Sequence, residues 1–180
     1  MLVAPYRGTL VERELHRLLA RGGVIGGTSA GASAMSRLMI VGGNPQAQVG
    51  DGLALLPEVV IDQHFHNRNR LPRLLGILAK HPQYVGLGID EETAVVVHSG
   101  LATVLGNANV RLCLPRASKG PAQVRVLKAG EQIHLGALLV APALAAVPSP
   151  PAKPPTHPPQ VATPSAGAPA ASGAALRASH

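Results

Sequence analysis

Apolar residues recur along the first part of the chain in two rhythms, and those rhythms lay out its elements. Val11, Leu15, Leu18 and Leu19 share one face of a helix. Thr9 and Glu12 open that helix as a capping box, and Gly22-Gly23 closes it. The short apolar run 24–26 predicts a buried strand, and 31–39 predicts a second helix. Residues 42–52 are turn-rich and read as a loop. The run 58–62 predicts another buried strand, which leads into a dense polar cluster. Pro72 suits a helix's first turn, Leu74, Leu75 and Leu78 give that helix an apolar face, and His81-Pro82 stops it. Residues 84–89 predict the next strand, with Asp90, Glu91 and Glu92 at its end. Segments 94–98 and 101–105 flank Ser99-Gly100 as a β-hairpin, and 110–114, 124–127 and 133–135 are further short strands.

Helix and strand alternate as far as Ile89, which predicts a layered α/β domain with a mostly parallel sheet. The strand-rich stretch 94–140 would add antiparallel strands at its edge. From residue 141 the pattern changes to Pro, Ala and Ser, as in Pro148-Ser149-Pro150-Pro151. Proline lacks a backbone donor and alanine lacks bulk, so 141–180 is expected to be a disordered tail outside a domain of residues 1–140.

Composition narrows the choice of function. The formal net charge is +7, which suits a nucleic-acid partner. The cations are dispersed, however, apart from Arg68, Arg70 and Arg73, and aromatic residues are 2% of the chain, so stacking platforms are nearly absent and no nucleic-acid role is expected. Cys113 is the single cysteine, which rules out a disulfide framework or a thiolate metal cluster within the chain. It lies among apolar residues and reads as a small buried side chain. No apolar run is long enough to span a bilayer, and residues 1–5 lack the features of a signal peptide, so no membrane role and a cytoplasmic location are expected.

The candidate chemistry begins at Gly27-Thr28-Ser29-Ala30-Gly31, a match to G-x-S-x-G, in which a serine occupies a sharp strand-to-helix turn. The pattern alone also describes an ordinary turn of small residues. Its context is more specific, because it falls between a predicted strand and a predicted helix. Ser29, the group 62–64 and the group 90–92 each follow a predicted strand, where active sites of such sheets gather. A serine hydroxyl needs a base, and the base needs a partner that fixes its tautomer. His64 is the best candidate base, Glu91, or else Asp90 or Glu92, would orient it, and the Ala30 amide would supply an oxyanion donor. His66 could join His64 on a metal, but no further motif of metal-site spacing accompanies the pair, so no metal or other cofactor is expected. His16 reads as solvated, His81 as a helix stop, His98 and His134 as edge-strand residues, and Ser33 and Ser36 as helix-surface or packing residues. Arg68, Arg70 and Arg73 are either a solvated basic face or clamps for substrate carboxylates, a task that suits the planar guanidinium.

Three motifs taken together resemble the cyanophycinase family, serine peptidases that also include the α-aspartyl dipeptidases. They are Gly26-Gly27-Thr28-Ser29-Ala30-Gly31-Ala32, Asp62-Gln63-His64-Phe65-x-x-Arg68-x-Arg70-x-x-Arg73, and Gly88-Ile89-Asp90-Glu91-x-Thr93-Ala94. The second is the most specific, all three occur in family order, and the resemblance covers about 9–139. It implies a Ser29–His64–Glu91 triad and an acyl-enzyme mechanism. The implied substrate is cyanophycin, a poly-aspartate backbone with arginine on each side chain, cleaved to β-aspartyl-arginine dipeptides. Asp62, Gln63, Arg68, Arg70 and Arg73 match positions that line the family's substrate pocket. The resemblance also implies a three-layer α/β/α sandwich of the class I glutamine amidotransferase-like type, and a homodimer. The family's long N-terminal portion has no counterpart here, so the chain is expected to be N-terminally truncated. The alternatives are an aspartyl dipeptidase-like peptidase and an inactive remnant. An α/β-hydrolase esterase fits less well, because its triad acid precedes its histidine.

Overall fold

The computed structural model describes residues 2–115, 122–140 and 173–177. Strand β5 (Val85–Ile89) shows how side-chain alternation builds the centre of the molecule. Val85, Leu87 and Ile89 point to one face and enter the main core, while Gly86 and Gly88 face the other way. Helix α3 (Leu71–Lys80) covers the glycine face. A Cβ on Gly86 would lie 3.1 Å from the Leu74 side chain, and one on Gly88 would lie 2.5 Å from the Phe65 ring. The glycines are therefore the space into which Leu74 and Phe65 pack.

Helix α3 is also the crossover that lets β4 (Val59–Gln63) run parallel to β5, since parallel neighbours cannot be joined by a tight turn. Asp62 pairs with Gly88 and Gln63 with Ile89, so the two strands end side by side. β5 continues antiparallel to β8 (Val110–Leu114), and β8 to β9 (Gln123–Leu127), giving a four-stranded sheet. A separate hairpin comprises β2 (Leu38–Gly42) and β3 (Gln48–Asp51). A five-stranded sheet has the order β1-β11-β6-β7-β10, from Val24–Thr28, Gly173–Arg177, Thr93–His98, Leu101–Gly106 and Gln132–His134. The short helix α4 (Leu135–Val140) follows β10. The main core joins inward residues of β4 and β5, such as Ile61 and Leu87, to Val95, Val97 and Val104 of the β6–β7 hairpin. Ser99 and Gly100 turn that hairpin with φ of 51° and 74°, the paired positive values a two-residue hairpin turn requires.

The α/β class holds, but the sheets are mixed rather than mostly parallel. Among the described strands, the parallel ladders are β4–β5 and β11–β6, and the others are antiparallel. The reason is connection length: β6 to β7 and β2 to β3 are joined by segments too short for a crossover. The helix expected over 31–39 is a four-residue helix, α2 (Ala30–Ser33), after which the chain turns into β2. Ser36 forms an isolated bridge with Leu56, its hydroxyl accepts the Ile61 N–H at 3.0 Å, and Met39 and Ile40 are buried. Tertiary pairing thus overrides the helix propensity of this run. β3 likewise occupies part of the expected loop 42–52.

The expected tail needs a larger correction. Residues 173–177 form β11, antiparallel to β1 and parallel to β6. Small side chains suit this slot, because a Cβ on Gly173 would lie 2.9 Å from the Gly27 carbonyl oxygen. Residues 141–172 and 178–180 of the expected tail lie outside the described residues.

Helix α1 (Leu10–Ala20) has Thr9 at its N-cap, as expected, but the reciprocal bonds of a capping box are not made. The Thr9 hydroxyl donates to the Tyr6 carbonyl at 2.6 Å, while Glu12 accepts from the Gly8 amide, also at 2.6 Å. No helix of the described residues is long and apolar enough to cross a membrane.

Candidate active site

Three chain reversals meet at one end of the sheets. β1 delivers Ser29, β4 delivers His64 and β5 delivers Glu91. Ser29 adopts φ 52° and ψ −121°, a conformation costly for a residue with a Cβ and characteristic of a serine on a sharp strand-to-helix turn. The turn is tight on one side only. A Cβ on Gly27 would lie 2.5 Å from the Gly31 carbonyl oxygen, whereas one on Gly31 would meet nothing within 4 Å. His64 has φ 50° and Glu92 φ 54°, so each of the other two turns also holds a residue in the left-handed region.

The Ser29 Oγ lies 3.1 Å from His64 Nε2, and His64 Nδ1 lies 2.9 Å from Glu91 Oε1. Burial by itself would raise the Glu91 carboxyl. Hydrogen bonds from His64, from its own backbone and from Asn67, with the attraction of His64, outweigh that and hold it below the ordinary carboxylate range. An ionised Glu91 accepts the Nδ1 proton, which leaves Nε2 as the acceptor facing the serine. Side-chain exposure of 21% for His64 and 25% for Glu91 keeps the pair reachable from solvent.

The Asp62 motif lies beneath this triad. Asp62 is fully buried and does not face solvent. Arg73 Nε and Nη2 donate to its two oxygens at 2.7 and 2.5 Å, Arg70 Nη1 donates at 3.3 Å, and the Gln63 amide donates at 2.9 Å. This fork-to-carboxylate pairing is the strong, directional kind. Asp62 was expected among the pocket-lining residues; here it holds the arginines, because two cations and an amide take up its lone pairs. Arg73 also donates to the Gly43 carbonyl at 2.6 Å, and Arg70 to the Gln63 carbonyl at 2.5 Å. Burial is the main influence lowering the Arg70 pKa, countered by Asp62 and reinforced by Arg73 and Arg68.

Gln63, Arg70 and Arg73 line a cavity of about 190 Å³ that Ala30 also lines, beside apolar residues of β2. The Gln63 Oε1 and the Arg70 Nε are buried without a protein partner among the described residues, one an acceptor and one a donor. Arg68 is exposed, with its amide donating to the His64 carbonyl at 3.2 Å. Ala30, the first residue of α2, follows the serine and is exposed.

The remaining candidates fall outside the triad. His16 is exposed and bonds the Leu53 carbonyl at 2.9 Å, His81 packs edge-on to Tyr84, and His98 and His134 are exposed. Ser33 and Ser36 are buried, which fits the packing alternative of the two expected for them. Asp90 does not reach His64; it accepts the His66 amide at 2.9 Å and pairs with Arg111. Arg111 is the residue that sequence reasoning passed over. A lone arginine in an apolar strand carries no pattern that marks it.

Comparison with known proteins agrees with the motifs. The family model described as peptidase family S51 matches residues 1–105. The chain is 46% identical over 112 residues to the cyanophycinase of Trichormus variabilis, covering 57% of this chain and 38% of that protein. It is 48% identical over 94 residues to the cyanophycinase of Geminocystis herdmanii, covering 48% and 35%, and 41% identical over 109 residues to that of Synechococcus elongatus, covering 56% and 34%. The chain thus spans little more than a third of the length of these relatives. The family match nonetheless takes in more than half of the chain and includes Ser29, His64 and Glu91, and on that basis the chain belongs to peptidase family S51.

Proposed function

We propose that this chain carries the catalytic centre of a serine-type exopeptidase that hydrolyses cyanophycin to β-aspartyl-arginine dipeptides. The observation that carries the reading is the unbroken hydrogen-bond chain from Ser29 through His64 to Glu91. His64 Nε2 takes the Ser29 proton as Oγ attacks the scissile carbonyl, and the Glu91 carboxylate stabilises the imidazolium that forms. The Ala30 amide donates to the developing oxyanion. His64 then returns the proton to the leaving amine, and an acyl-enzyme remains on Ser29. Water, activated by the same histidine, releases the dipeptide.

Substrate recognition falls to Gln63, Arg68, Arg70 and Arg73, with Asp62 holding the two buried arginines in place. The substrate presents free α-carboxylates, which match the guanidinium groups. The similarity to three cyanophycinases supports cyanophycin over other β-aspartyl peptides. A homodimer belongs to the same reading, and sedimentation of the purified chain tests it.

The activity test is dipeptide release from cyanophycin granules by the chain and by Ser29→Ala. Release by the parent and none by the variant is the expected result. Release of aspartyl dipeptide products from short substrates alone would move the assignment to an aspartyl dipeptidase, and a folded parent that releases nothing would make the chain an inactive relative.

A further inference from the structure

The two turns that bear His64 and Glu91 are joined by contacts outside the triad. Asp90, the residue before Glu91, is buried. Its Oδ1 accepts the backbone N–H of His66 at 2.9 Å. Arg111, which faces β5 from β8, donates through Nη1 to both oxygens of Asp90 at 3.2 and 3.3 Å. Its Nη2 lies 3.2 Å from His66 Nδ1, and since a guanidinium only donates, that ring nitrogen is the acceptor. The Arg111 guanidinium carbon also sits 5.9 Å from the centroid of the buried Phe65 ring, within cation–π range. Phe65 in turn hydrogen-bonds the Ile89 carbonyl through its amide at 3.2 Å. Phe65 and His66, the two residues after His64, are thereby tied to the end of β5 and the turn that follows it.

We propose that Arg111 is a positioning residue for the catalytic base, acting through Asp90 to fix the turn 64–66 against the turn that carries Glu91. This rests on the triad reading given above. The physical need is specific. His64 is held at φ 50°, a conformation that relaxes unless its surroundings enforce it. Asp90 is the clamp on the His66 amide, two residues after His64, and a buried carboxylate keeps that place only with a cation beside it. Arg111 supplies the cation, and its second nitrogen and its face grip His66 and Phe65. Without it, Asp90 draws in water or moves, and the turn moves with it.

The test uses the full chain with Arg111→Met, Arg111→Lys, Asp90→Asn and the double variant Arg111→Met/Asp90→Asn. The first readout is the rate of Ser29 phosphonylation by a fluorophosphonate, checked against Ser29→Ala. Arg111→Met is expected to slow labelling by about 10²-fold, the cost of displacing a reacting group by about 1 Å. Adding Asp90→Asn removes the unpaired charge but keeps an oxygen for the His66 amide, so the double variant is expected to recover about tenfold of that loss. Arg111→Lys keeps the charge without the fork and is expected to fall between parent and Arg111→Met. The second readout is the downfield proton resonance of the His64–Glu91 hydrogen bond, which reports its geometry whether or not Ser29 reacts. It is expected in the parent and in Ser29→Ala, and broadened or lost in folded Arg111→Met. Failure of the parent to label would count against the triad reading alone, leaving the resonance to decide the role of Arg111. A folded Arg111→Met whose resonance is unchanged, or whose labelling rate is within twofold of an active parent, would overturn the proposal.

Discussion

Gly27 and Gly31 flank the same serine but do different work. Only Gly27 lies where a side chain would strike the backbone of α2, so the close approach of strand and helix depends on it. Gly27→Ala is expected to cost about 2–3 kcal/mol, the upper end for forcing an atom into a packed site, while Gly31→Ala leaves chemical denaturation unchanged. Equal midpoints for the two variants would contradict this. Cys113 offers a second check at the same scale. Burial pushes its thiol up to about 12, so it carries no thiolate at neutral pH. Ellman's reagent is expected to leave it untouched in the folded chain and to react after guanidinium unfolding. Glu91 contributes in the opposite sense. Its carboxyl is held below the ordinary range in the fold, so its stabilisation is present above the pKa of the unfolded chain and lost as pH falls through the lowered folded value. Urea midpoints measured from about pH 6 to about pH 3 are expected to fall less steeply in Glu91→Gln than in the parent. Parallel curves would show that Glu91 contributes none of the acid sensitivity.

Elements were legible where the apolar pattern agreed with the local geometry. β4, α3 and β5 stand close to the positions their patterns predict, because each has a buried face that only one period can supply. The run after Ser29 was misread because Ala30, Ala32, Ala34 and Met35 favour a helix, and nothing local announces that Ser36 will bridge to Leu56. β11 was hidden for a different reason. Its Gly-Ala-Ala-Leu-Arg sequence holds its place by ladder bonds on both edges and by smallness against Gly27, neither of which an apolar pattern records. Among the described residues β11 is the strand that links β1 to β6, so β1 depends on it. A chain ending at residue 172 is expected to melt at least about 5 °C below the parent and to label more slowly at Ser29. A truncated chain that melts and labels as the parent does would remove β11 from any supporting role.

At the scale of the whole molecule, the meeting of Ser29, His64 and Glu91 was more legible than the sheets. Ser29, His64 and Glu91 each follow a strand, and catalytic groups collect at such ends because the turns there are free to vary. What the sequence could not disclose is which charged residues face a substrate and which hold others in place. The motif that opens with Asp62 does not reveal that its carboxylate is buried against Arg70 and Arg73, and no pattern marks Arg111; both residues pair with Gly88 of β5, one from each side. The same register brings the histidine turn beside the glutamate turn, so the central claim is that these strands hold a working nucleophile. The direct measurement is fluorophosphonate labelling of the purified chain, with the modified residue located by peptide mass spectrometry. A single adduct on Ser29, abolished in His64→Ala, is the expected result; a folded chain with no adduct, or with the adduct on another residue, would contradict it.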